Sequence, residues 1–102
     1  MSKQKKNQDQ INQILSERQV THGSYMAKAV FIQDIKSYIR DFQEWKELDP
    51  DMQESLDMIV TKMARILVGD SYHHDSWIDI AGYAMLVANR LQHEGEFNEP
   101  VK

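Results

Sequence analysis

Trp77-Ile78-Asp79-Ile80-Ala81-Gly82-Tyr83-Ala84-Met85-Leu86-Val87-Ala88 is the stretch on which the fold turns. Wound as an α-helix, it shows apolar side chains on every face, and Asp79 is its one group ionised at neutral pH. Helices that are apolar all round are buried ones. A chain of 102 residues hides only about two-thirds of its unfolded surface, so one protomer does not readily cover such a helix on all sides. Association with another copy is therefore expected to complete the fold. Asp79 is expected to face a partner, because a carboxylate withdrawn from water is costly unless a cation sits beside it or its pKa rises.

Working outward, four glycines and two prolines leave room for long helices with few turns. Asp49-Pro50 offers a capping side chain followed by proline at the first helical position. The helix it opens carries Met52, Leu56, Ile59, Val60, Met63, Ile66 and Leu67 on one broad stripe, with Asp57, Lys62 and Arg65 off it, and is expected to close on a left-handed Gly69. Ser24 caps a second helix with Met26, Val30, Phe31, Ile35, Tyr38, Ile39, Phe42 and Trp45 at helical spacing, running to about Trp45. Ile11, Ile14 and Leu15 mark a short N-terminal helix over about residues 7–18, followed by a linker to Gly23. The fourth helix starts at His74 or Asp75 and runs to about His93. The expected architecture is one all-α domain over residues 1–102, an antiparallel bundle of three long helices plus a short one, with residues 1–6 and 94–102 fraying.

Composition narrows the function classes. A formal net charge of −4 with only Lys3, Lys5 and Lys6 clustered lacks the basic stripe of a nucleic-acid-binding domain. The absence of cysteine removes thiolate nucleophiles and thiolate metal ligands and suits a reducing compartment. The polar first ten residues carry no apolar signal core, and no run approaches about 18 consecutive apolar residues. The cytoplasm, without membrane attachment, is the expected location.

Lys62 and Arg65, three residues apart on the third helix, are the expected partners of Asp79. A pair of this kind can serve only to fix the register of two helices. Alternatively, Lys62, Arg65, His73, Asp75 and Asp79 line a polar pocket at the start of the fourth helix, where free N–H groups and cationic side chains suit a phosphorylated ligand such as a nucleotide. Tyr83, one turn beyond Asp79, either gives it a hydroxyl partner or packs. Asp75 and Asp79 share the four-residue spacing a divalent metal could use, but the facing helix brings cations rather than carboxylates, and Zn²⁺ would have to recruit His22 or His74. No cofactor is expected, Mg²⁺ entering only with hydrolysis. Gly82 in mid-helix points to close helix approach, and Met52, Met58, Met63 and Met85 read as core filler.

Glu17-Arg18-Gln19-Val20-Thr21-His22-Gly23-Ser24, the stretch Leu56 to Leu67, and His74-Asp75-Ser76-Trp77-Ile78-Asp79-Ile80-Ala81-Gly82-Tyr83-Ala84 resemble a family of small, uncharacterised proteins common in phages and prophages. That resemblance implies a phage-type accessory protein of the host cytoplasm and no particular chemistry. Asp75 and Asp79 also resemble, faintly, the acidic pair of the MazG-type all-α nucleotide pyrophosphohydrolases, which implies a metal-dependent hydrolase. Those enzymes bind Mg²⁺ with glutamates on an earlier helix, whereas here Lys62 and Arg65 hold the most similar place and Ser76 stands where a second acidic residue is expected.

Overall fold

The computed structural model describes residues 3–22 and 24–98, with side chains described over 7–17 and 24–94. The described residues form four α-helices and a short 3₁₀ turn, with no strand among them. They are α1 (Lys3–His22), α2 (Tyr25–Arg40), the 3₁₀ turn (Gln43–Glu47), α3 (Pro50–Val68) and α4 (His74–Asn98).

The N-terminal helix is not short. It spans 20 residues and continues through Gln19 to His22, where a linker was expected; Gly23 lies outside the described residues. Gln8 to Asn12 (3.1 Å) and Gln13 to Glu17 (3.3 Å) are side-chain hydrogen bonds one turn apart on its surface. Ile11, Ile14 and Leu15 all stay exposed.

Ser24 is the cap the sequence promises: its backbone is extended and its Oγ accepts from the Ala27 amide at 3.4 Å. α2 stops five residues before Trp45. Phe42 and Leu48 adopt extended dihedrals on either side of the 3₁₀ turn. Asp49 is extended too, as a residue preceding proline prefers. Apolar spacing alone does not see this break, because one 3₁₀ turn carries the pattern onward nearly in phase. The turn folds Trp45 inward, where it is nearly buried and its backbone carbonyl accepts from Gln53 Nε2 at 2.8 Å. Arg40 lies over the indole at 4.8 Å and donates from Nη2 to Asp57 of α3 at 2.8 Å.

α3 is the central element, packed against both α4 and α2 and touching α1 lightly. Val60, Ala64 and Ile66 are its buried apolar residues, joined by Ser55 and Lys62. Its end differs from expectation: Gly69 closes the helix with φ −115°, not left-handed, and its N–H donates to the Arg65 carbonyl. α4 returns along α3, so that Lys62 meets Asp79 near one end and Asp51 meets Arg90 near the other. Residues 69–73 between them are held by Ser71 Oγ donating to the Ile66 carbonyl (2.7 Å), the Tyr72 amide to Asp70 (2.9 Å) and Trp77 Nε1 to the Ser71 carbonyl (2.9 Å).

The assembled chain is long and open. It measures 73 × 27 × 27 Å with a radius of gyration of 19.0 Å, where a compact chain of this length has about 13 Å. Its accessible surface of 8095 Å² exceeds the roughly 6,000 Å² of a compact chain of its mass. Leu56, Met63, Leu67, Ile78, Met85 and Leu86, all expected in a core, remain exposed. Among the described residues, a Cβ at Gly82 would find nothing within 4 Å outside its own helix turn.

Candidate functional site

The polar residues singled out around Asp79 are only partly brought together. Lys62 Nζ lies 2.9 Å from Asp79 Oδ2. The two ends of the pair differ in setting: Lys62 is 8 % exposed, whereas the Asp79 side chain is 43 % exposed. A lysine on the inner side of α3 thus reaches outward to a carboxylate at the mouth of the α3–α4 groove. The expectation of a buried Asp79 gives way to a buried Lys62. Over residues 77–88 only Asp79, Ile80, Tyr83 and Val87 are half-buried and the rest are exposed, so this apolar stretch is not enclosed by one chain.

Hydrogen bonding from Lys62 holds the Asp79 carboxyl below its ordinary value of 3.8, partly opposed by desolvation and aided by the charges of Lys62, Arg65 and His73. Arg65 and His73 therefore lie within electrostatic reach of Asp79, as the sequence suggests. Asp75 does not join them. Its carboxylate is 3.8 Å from His74 Nδ1, and both side chains are largely in solvent. Tyr83 is half-buried one turn along and packs without a hydrogen bond to Asp79. Ser76 is 2 % exposed, and its Oγ has no partner among the described residues; a carboxylate in that place would be desolvated.

A second polar cluster has no forerunner in the sequence reading. Arg90 of α4 donates from Nε and Nη2 to both oxygens of Asp51 in the first turn of α3, the Nη2 bond being 2.7 Å. It further donates from Nη2 to Asp49 (2.9 Å) and from Nη1 to Glu94 (2.8 Å). Asp49 was expected to cap α3 with its side chain and instead accepts from Arg90. The guanidinium holds Asp51 below the ordinary carboxylate value, and these carboxylates in turn push the Arg90 pKa up. A planar fork meeting a carboxylate in two parallel bonds fixes orientation as well as distance. Sequence offers one weak signal: acidic residues open α3, and an arginine stands near the end of the next helix.

An apolar groove of about 350 Å³ is lined by Ile39, Phe42, Glu44, Trp45, Leu48 and Leu56, none of them a member of either cluster. Among the described residues no group of three or more histidines and carboxylates is placed to hold a metal ion, and no helix is long and apolar enough to cross a membrane. No curated protein and no solved structure matches the chain. A family model does match, over residues 7–91, which takes in α2, the 3₁₀ turn, α3, the Lys62–Asp79 pair and Arg90 with Asp49 and Asp51: the chain belongs to the DUF6378 family, a domain of unknown function.

Proposed function

We propose that this chain is a helical interaction subunit, a small phage-type accessory protein of the host cytoplasm, whose antiparallel bundle is closed by further copies of itself. In this reading the Lys62–Asp79 pair is structural and sets the register of α3 against α4. The mismatch between apolar content and burial carries the proposal. Among the described residues Trp45, Val60, Ala64 and Ile66 are the buried apolar side chains, while seventeen large ones stay exposed on the four helices and their connections. Apolar surface on that scale marks an interaction surface. The phage setting rests on the resemblance of residues 17–24, 56–67 and 74–84 alone. Light scattering after size exclusion is expected to give at least twice the 12.0 kDa chain mass. A well-folded, fully helical species at the single-chain mass would sink the proposal.

A second reading, the binding of a phosphorylated, nucleotide-like ligand, has one observation in its favour. Lys62, Arg65 and His73 converge electrostatically on the single half-exposed carboxylate of Asp79, near the first turn of α4, where anions are favoured. A thermal-shift series with nucleotides and inorganic phosphate, with and without Mg²⁺, tests it. Saturating ligand at about 100 times its dissociation constant adds roughly 2.7 kcal/mol and raises the melting temperature by several degrees, and a flat series at millimolar concentrations would refute ligand binding. The MazG-type pyrophosphohydrolase stands behind both readings, since Mg²⁺ wants several oxygen ligands and Asp79 is already engaged by Lys62.

A further inference from the structure

We infer that the outward face of α4, marked by Ile78, Gly82, Met85 and Leu86, packs against the same face of a second copy across a two-fold axis passing close to Gly82. The inference rests on the self-association proposed above and locates its seam.

α4 offers α3 one face, on which Ser76, Ile80, Tyr83, Val87 and Arg90 recur at alternating four- and three-residue spacing and are buried or half-buried. The remaining faces are equally apolar and uncovered. Ile78, Met85 and Leu86 are each more than half exposed, and no residue from Ile80 to Asn89 carries a charge at neutral pH. Solvent-facing helix surfaces are ordinarily charged, and loss of charge is the compositional mark of an interface centre. Gly82 sharpens the placement. It is unfavourable in mid-helix, and nothing in its own chain needs the space it leaves.

The occupant is fixed by area and supply. The surface of 8095 Å² exceeds that of a compact chain by roughly 2,000 Å² over the whole elongated molecule, enough to supply the burial of about 1,000 Å² or more per protomer that an obligate homodimer requires. A second copy is the one partner present wherever the chain is. The face must then complement itself, which an uncharged stripe does about a two-fold axis without like-charge contact.

The chain has no cysteine, so Gly82→Cys introduces a single thiol at the proposed axis. In the full-length protein oxidised with copper–phenanthroline, the majority of Gly82→Cys is expected as a covalent dimer on a non-reducing gel, since disulfides form where Cα atoms lie about 4.4–6.8 Å apart. Tyr72→Cys, at a residue 94 % exposed in the α3–α4 loop, serves as the unpaired control and is expected to stay largely monomeric. Gly82→Leu, whose Cβ has open space around it within the chain, is expected to weaken self-association at least tenfold while the protein keeps its helical circular dichroism. A wild-type chain that sediments as a monomer overturns both this inference and the self-association on which it rests. An associated wild type in which Gly82→Cys cross-links no faster than Tyr72→Cys overturns the seam alone.

Discussion

Lys62 concentrates the tension in this chain. It is nearly buried, and its ammonium makes one ion pair, with Asp79. Removing the partner of a buried charge is more damaging than removing both members, because the stranded group keeps its desolvation penalty. Asp79→Ala should therefore lower the melting temperature by roughly 5–10 °C, and adding Lys62→Met should restore most of it. Two losses that simply add would show that the pair is not coupled. The pH dependence follows from the carboxylate. Asp79 titrates below its ordinary 3.8 when folded, so its contribution is complete above that value and disappears as pH falls through the lower, folded pKa. Asp51 acts in the same direction. Asp79→Asn should accordingly melt with less difference between about pH 7 and about pH 3 than the wild type, as followed by circular dichroism.

At the scale of elements, α3 and α4 are tied at two heights, by Lys62–Asp79 near the loop and by Arg90–Asp51 at the far end. The second tie bears on how far α4 stays docked, since the half of α4 beyond Tyr83 offers α3 few side chains beside Val87 and Arg90. Arg90→Ala should lower the melting temperature by a few degrees and raise hydrogen exchange in residues 84–94 well before residues 76–80. Arg90→Lys should recover little, because an ammonium cannot reproduce the bidentate fork. Uniform loss of protection along α4 would show that Arg90 does not act locally. Pro50 and Ser24 announced the starts of α3 and α2 because a proline at the first helical position and a capping hydroxyl both act locally. Arg90 was not legible for the converse reason: its partners Asp49 and Asp51 lie about forty residues away.

Taken whole, the molecule is an elongated helical chain with a thin core. If its stability depends on association, it depends on concentration. Raising the protein from about 1 μM to about 100 μM should raise the melting temperature by several degrees, and a midpoint independent of concentration would contradict self-association. Sequence by itself determined the helical class, the cap at Ser24, the start of α3 at Pro50, and the pairing of Asp79 with a cation of α3. Each of these follows from local capping chemistry, from hydrophobic spacing or from the cost of desolvating a charge. The tertiary structure decided which member of that pair is buried, that Asp75 turns to solvent with His74, that Arg90 clamps α3, and that Gly82 faces open space. Those outcomes depend on which side of each helix meets its neighbour, and a stretch as apolar all round as residues 77–88 has no polar face to reveal that side in advance.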